Sequence, residues 1–444
     1  MFDYKTATEE EILLQAIGLL GNTVGSISDF TFSDKPAAQS RGEVGLAIER
    51  FFGIPQNNRQ EADFPSAGIE LKIVPVEKSA NRYKVKERTS LTQINFKRLV
   101  DEDWKGAQLR KKLRVLFVFF EHRDGVPKSS FPIKGTHLWF PTPEEEALIG
   151  SDWLAIQNSA RLGRAHELSE ADGIIMGAAT KGGSGQMVEQ AVSAAPLAKS
   201  RAFALKPAFL KRIFDVHIAG AAEGTWVTAG RELPRVVEER LGRFVGMRLS
   251  EAARALTLQL GQGKGSAGHF IRLALGAQTS RSPIEELERA GMTVKTVRVT
   301  PEGRPYEATS FPHFLQKELA AEVWEESTLL YQLEGGIVFV PLVGVTRDTP
   351  REACVIGRPT VWKPDAGVLE KIRREWETFQ ASVRTDEMES SPKESETSLI
   401  HVRPHATTGQ PLDKTVSGRR VKKHSFWLNK SYVQQVIGKP VLSP

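Results

Sequence analysis

In "GIELKIV" (Gly68–Val74), apolar and charged residues alternate and β-branched residues are frequent. A period of two predicts a strand. It sends Ile69, Leu71 and Ile73 to one face, and Glu70 and Lys72 to the other. "LRVLFVFFEH" (Leu113–His122) and "GGIVFVPLVG" (Gly335–Gly344) are apolar almost without interruption. Such runs predict strands in the middle of a sheet covered on both faces. The opening "MFDYKTATEEEILLQAIGLL" reads as an amphipathic helix, and "GLAIERFFG" (Gly45–Gly53) reads as helical too. "TDEMESSPKESETS" (Thr385–Ser398) is polar, charged and contains Pro and Ser, which predicts a flexible insertion and not a packed element.

The pattern occurs twice. "GLAIERFFG" is echoed by "GHFIRLALG" (Gly268–Gly276), and "AGIELKIVPV" by "AGMTVKTVRV" (Ala290–Val299). "WKGAQLRKKL" from Trp104 is echoed by "WEESTLLYQL" from Trp324, and the pair Trp139/Trp153 by Trp362/Trp376 at the same separation of 14. "GIIMGAATKGGSGQ" (Gly173–Gln186) pairs with "SLIHVRPHATTGQ" (Ser398–Gln410), and "PAFLKRIF" (Pro207–Phe214) with "SFWLNKSY" (Ser425–Tyr432). The offset stays near 223 throughout. Six matches in one order predict a tandem duplication of an α/β domain, 1–225 and 226–444. The Gly/Ala-rich "IAGAAEGTWVTAGRELP" fits the junction.

Composition narrows the class. The 444 residues are 40% hydrophobic and 26% charged, an ordinary globular balance. The lone Cys354 excludes a disulfide within the chain and a Cys-based zinc site, and it suits a reducing cytoplasm. The N-terminal stretch has acids where a secretory signal needs bases, and no apolar run reaches membrane-spanning length. Net charge is +6, a mild pointer to a polyanionic partner. Its distribution says more. From His401 onward there are eight Lys and Arg residues against Asp413 alone, and "KGAQLRKKLR" (Lys105–Arg114) is a second basic cluster.

The chemistry concentrates at "ADFPSAGIELKIVPV" (Ala62–Val76). Magnesium takes oxygen ligands, few of them carboxylates, and keeps several waters. Asp63 and Glu70 supply two such oxygens if a hairpin brings them side by side, and the Leu71 carbonyl offers a third. Lys72, on the face of Glu70, is placed to hold a water or to stabilise charge on a phosphate. Glu-x-Lys on a strand ordinarily means a solvated face or a cross-strand ion pair. The repeat changes the weighing. The second copy keeps Lys295 but has Thr293 at the place of Glu70, Glu286 at that of Asp63 and Arg272 at that of Glu49. The frame persists while the carboxylates change, so one copy reads as catalytic and the other as inactive.

These residues, with "QLRKKLRVLFVFFE", "LWFPTPEEE" and "DW", resemble the MutH mismatch-repair nicking endonucleases. They are still more similar to GATC-cutting restriction endonucleases built from two MutH-like domains. The resemblance covers most of both halves and implies the PD-(D/E)XK fold: an α/β mixed sheet flanked by helices, here duplicated, with a magnesium-dependent site. It implies metal ligation by Asp63 and Glu70, a catalytic Lys72, an auxiliary acid Glu49 and a Lys112 near the scissile phosphate. The family reads bases with an Arg-Pro-Lys-like loop. "VRPH" matches it through Arg403, Pro404 and His405, whereas the first copy has "GAAT" (Gly177–Thr180) followed by Lys181 and lacks the arginine, the usual bidentate reader of guanine. Lys181, Lys211, Trp427 and Lys430 complete the candidate DNA contacts.

Phe209 and the tryptophans at 139, 153, 362 and 376 read as core. The histidines show no metal-ligand spacing, and Cys354 reads as filler. The expectation is a cytoplasmic type II restriction endonuclease acting on double-stranded DNA with Mg2+. It is expected to be a monomer in solution, with dimerisation on DNA left open. A mismatch-repair nickase and a non-catalytic DNA-binding or methylation-sensing protein are the rivals.

Overall fold

The computed structural model describes residues 2–33, 42–56, 61–79, 82–123, 125–181, 186–228, 231–261, 265–279, 281–404 and 412–443. The chain divides into two compact units, Met1–Ala222 and Glu223–Pro444.

In the first unit, four strands form a sheet in the order Arg82–Val85, Glu70–Ser79, Val115–His122, Ile133–Trp139. Glu70–Ser79 and Val115–His122 run parallel, and the outer pairings are antiparallel, so the sheet is mixed. Val115 to Glu121 are all buried, because this strand lies inside the sheet with both faces covered. Leu116 and Val118 meet the helices Glu9–Ile17 and Glu43–Phe51 through Ile12, Ala16, Val44 and Ile48. On the opposite face, Phe119 packs edge-on against Phe214 of the helix Pro207–His217, and Trp139 against Phe209. Phe209 is fully buried. A smaller antiparallel sheet orders Thr89–Gln93, Arg201–Leu205 and Met176–Thr180. The Glu9–Ile17 helix starts at a capping box formed by Thr8 and Glu11.

The second unit repeats this frame. Thr293–Val299 runs parallel to Ile337–Val343, with Thr293 paired to Ile337 as Glu70 is to Val115. Its smaller sheet orders Thr309–Phe314, His424–Leu428 and Ile400–Pro404. Individual contacts recur. Trp104 packs on Trp153 at 5.6 Å, and Trp324 on Trp376 at 5.5 Å. Asp152 accepts from the amides of Ile174, Ile175 and Met176; Glu375 accepts from those of Ser398, Leu399 and Ile400. Each acid satisfies the amides at the entry to a strand, where the sheet cannot.

Three sequence readings need correction. Pro207–Phe214 is helical, whereas Ser425–Leu428 is strand, so these two stretches are not counterparts. The matching strands are Arg201–Leu205 and His424–Leu428. The pairing of "GAAT" with "VRPH" also shifts by one residue. Met176 faces Leu205 as Ile400 faces Leu428, so Ala179 corresponds to Arg403 and, by count, Lys181 to His405. His405 itself lies outside the described residues. Finally, the stretch Thr385–Ser398 is packed rather than free. Met388 is buried, Asp386 accepts from Thr415, and Thr397 and Glu394 accept from Asn429. Its polar side chains are used on neighbouring backbone and hydroxyls, which composition alone does not register.

Candidate active site

Asp63 is presented by a tight hairpin. Phe64 and Ile69 exchange backbone hydrogen bonds, and Gly68 turns the chain at φ +64°. Glycine adopts that left-handed conformation without a Cβ clash. The hairpin is anchored by the fully buried Phe64, whose ring meets Phe52 edge-on at 5.3 Å. Arg114 donates to the Ala67 carbonyl at 3.2 Å, and its own carbonyl accepts from the Glu70 amide at 2.8 Å. Asp63 Oδ2 consequently accepts from the Leu71 amide at 2.8 Å. The reading of the basic cluster missed this role of Arg114. Its position directly before the apolar run was the available signal.

Glu70 is 4% exposed and lies between two ammonium groups. Lys112 Nζ donates to Glu70 Oε1 at 2.5 Å, and Lys72 Nζ to Oε2 at 3.4 Å. Lys112 comes from the 3-10 turn Arg110–Lys112 that leads into the central strand. A carboxylate this buried needs such partners. Glu49 reaches the same place from the last turn of Glu43–Phe51. Burial, then the charge of Asp63, raises its pKa, while Lys72 lowers it. A cavity of about 230 Å³ adjoins Asp63 and is lined by Tyr4, Lys5, Ile54 and Glu61 among others.

Among the described residues, no group of three or more His, Cys, Asp or Glu is arranged to hold a metal ion. Asp63 and Glu70 bring two carboxylates to the start of one strand, and Glu49 lies close enough to Asp63 to feel its charge. The donors are all carboxylate oxygens, which suits a hard divalent cation that keeps most of its water. The three carboxylates outnumber Lys72 and Lys112 by one charge, so a cation is electrostatically welcome.

The second unit lacks this constellation. Thr293 occupies the position of Glu70. Glu286 is fully buried on the helix Glu285–Ala290 and accepts from the amides of Val227 and Thr228. Arg272 donates to the Ser282 carbonyl. Lys295 donates to the Ser310 carbonyl at 3.0 Å, and burial lowers its pKa. Each group has been turned to holding backbone.

The remaining DNA-contact candidates are dispersed. Lys181 is exposed at the end of Met176–Thr180. Lys211 pairs with Asp215 one turn along its helix. In the second unit, the Arg403 guanidinium lies 3.8 Å from the Trp427 ring centroid, across adjacent strands. Pro404 ends that strand exposed, and Lys430 opens the helix Lys430–Ile437, its amide donating to Glu394.

A mixed sheet flanked by helices, with Asp63 and then Glu70-x-Lys72 at the start of an inner strand, defines a nuclease of the PD-(D/E)XK class. Residues 52–152 match the family model described as DNA mismatch repair enzyme MutH. The chain is 25% identical to the type II restriction enzyme Sau3AI of Staphylococcus aureus, over 90% of this chain and 93% of that protein. It is 29% identical to the DNA mismatch repair protein MutH of Shewanella woodyi, over 47% of this chain and 94% of the relative. It is 26% identical to that of Pectobacterium atrosepticum, over 47% and 92%. The chain is similar to the MutH-like nucleases, and a MutH-length match fills about half of it.

Proposed function

We propose that this protein is a type II restriction endonuclease whose first unit, about 1–225, cuts double-stranded DNA with magnesium. The second unit, about 226–444, binds DNA without cutting. The observation that carries this reading is the asymmetry of the duplicated frame: Glu70, Asp63 and Glu49 converge in the first unit, and Thr293, Glu286 and Arg272 do not in the second. The near full-length similarity to a type II restriction enzyme supports it.

Asp63 and Glu70 would hold the cation, which when bound lowers the pKa of water and neutralises phosphate charge. The hairpin fixes Asp63 through the Leu71 amide, so its orientation is set before substrate arrives. Lys72 stands beside Glu70 to orient the attacking water or to stabilise charge on the phosphate. Lys112 compensates Glu70 in the resting protein and is freed for the scissile phosphate when a cation takes its place.

By resemblance, the site is GATC, cut before the G to leave 5′ overhangs, in the cytoplasm, by a protein monomeric until it meets DNA. In the second unit Arg403 is the base reader and Pro404, Trp427 and Lys430 flank it. In the first unit Lys181 occupies the corresponding loop, and Lys211 is a lesser phosphate contact. Digestion of a sequenced plasmid with magnesium, followed by end mapping, tests this: every end should begin with GATC. Ends at unrelated sequences, or intact plasmid, would sink it. The mismatch-repair reading shares the first unit but leaves the second without a task; accumulation of nicked circles at hemimethylated sites would favour it.

A further inference from the structure

Comparing the two copies of the frame away from the cutting end exposes a difference in charge. In the first unit, Glu43 opens the helix Glu43–Phe51 and pairs with Lys128 of the turn Lys128–Ser130 at 3.1 Å. In the second unit, the helix Ser266–Ala274 opens with Ser266 and the turn Arg351–Ala353 supplies Arg351. The chain enters the two turns in the same conformation: Pro127 has φ −58° and ψ 139°, and Pro350 has −57° and 140°. Pro75, paired with Phe120, is replaced by Arg298, paired with Leu342. One acid and one base have become two bases.

These substitutions line a cavity of about 400 Å³ with Ser266, Arg298, Arg347, Thr349 and Arg351. Arg298 is held in place: it donates to the Arg347 carbonyl at 2.8 Å and to Glu307 at 2.9 Å. The side chains of Arg347 and Arg351 make no hydrogen bond or ion pair among the described residues. Asp348 and Glu352 also line the cavity, but they and Arg347 are exposed, where water screens them, which leaves the half-buried Arg298 and Arg351. Arg298 keeps Glu307 as its partner, so the half-buried Arg351, in a frame where Ser266 replaces the Glu43 carboxylate, is the cation open to an external anion.

We propose that this cavity binds a phosphate group in the position that the Glu43 carboxylate fills in the first unit. Guanidinium groups match phosphate oxygens in fork geometry, and the Ser266 and Thr349 hydroxyls add neutral donors. The site is separate from the vestigial cutting position. Arg298 lies five residues along the strand from Thr293, roughly 16 Å at the usual rise. The phosphate is either free in solution or part of a DNA backbone passing this side of the unit.

The internal comparison supplies the test. Ser266→Glu restores the acid that the same frame carries at Glu43, so the variant should fold as the parent does, checked by its melting temperature. Calorimetric titration of the metal-free full chain with inorganic phosphate should give one site, weakened at least about tenfold by Ser266→Glu and by Arg351→Ala. If inorganic phosphate does not bind, the backbone source predicts that Ser266→Glu makes the dependence of duplex affinity on salt shallower by about one counterion. The duplex arm rests on the DNA-binding reading; the phosphate arm does not. Failure of both, with the parent binding neither phosphate nor a duplex differently from Ser266→Glu, overturns the site.

Discussion

Lys112 Nζ donates to Glu70 Oε1 at 2.5 Å, joining residues 42 positions apart. In the absence of a cation, the carboxylate is thus neutralised by a lysine that is itself only 14% exposed. If Glu70 is a metal ligand as proposed, Lys112 and the cation are rivals for the charge of the same carboxylate.

Lys112→Ala tests that competition. The variant should reach half-maximal cleavage at a lower metal concentration than the parent, because one competitor for Glu70 is gone. Its maximal rate should fall by roughly 10- to 1000-fold, the range for loss of one charge-stabilising donor. A higher metal requirement would argue that Lys112 assists metal binding instead.

Glu70→Gln and Asp63→Asn should lower cleavage by roughly 10²- to 10⁴-fold, with duplex binding retained in a gel-shift assay. Asn can still accept from the Leu71 amide, so Asp63→Asn should melt close to the parent. Cleavage that persists in Glu70→Gln would refute the site assignment.

Glu49 sets a dependence on pH. Its folded pKa is raised, first by burial and then by Asp63, so its ionised form opposes folding. The stability it allows is complete below the unfolded value near 4.5 and is lost as pH rises through the folded value. In chelator, Glu49→Gln should therefore melt above the parent at neutral pH, and the gap should close as pH falls toward 4.5. A gap independent of pH would contradict the cause.

His137 works in the opposite sense. Burial, and then the charge of His217 stacked at 3.8 Å, push its pKa down to about 4. Stability held above the unfolded value of 6.5 is lost as pH falls toward 4. Thermal melts of His137→Gln should show a flatter decline across that window than the parent.

If the second unit is an effector, a plasmid with two recognition sites should be cut faster than one with a single site. The motive is a copy without Glu70's counterpart that retains the Arg403–Trp427 stack. Equal rates on the two plasmids would remove the effector role and leave only binding.

Much of the fold was legible because it is written in local periods. Alternation gave the Glu70–Ser79 strand its faces, and the unbroken apolar run marked Val115–His122 as internal. The four tryptophans expected in the core are buried. Legibility failed where register decides. The copies drift by one residue before the smaller sheet, so aligning "GAAT" to "VRPH" by likeness misplaced Arg403's counterpart. Likewise, helix and strand were confused at Pro207–Phe214 and Ser425–Leu428, since short apolar runs look alike in either state.

By itself, the sequence determined the duplication, the strand that bears Glu70 and Lys72, and the replacement of Glu70 and Glu49 by Thr293 and Arg272 in the second copy. These follow from residue identity and spacing along one element. Only the tertiary structure decided that Asp63 turns onto the Leu71 amide, that Lys112 closes on Glu70, and that Ser266, Arg298 and Arg351 share a cavity. Those contacts join separate elements. They depend on how strands pair and helices dock, which is settled by burial over the whole unit and not by neighbours in the chain.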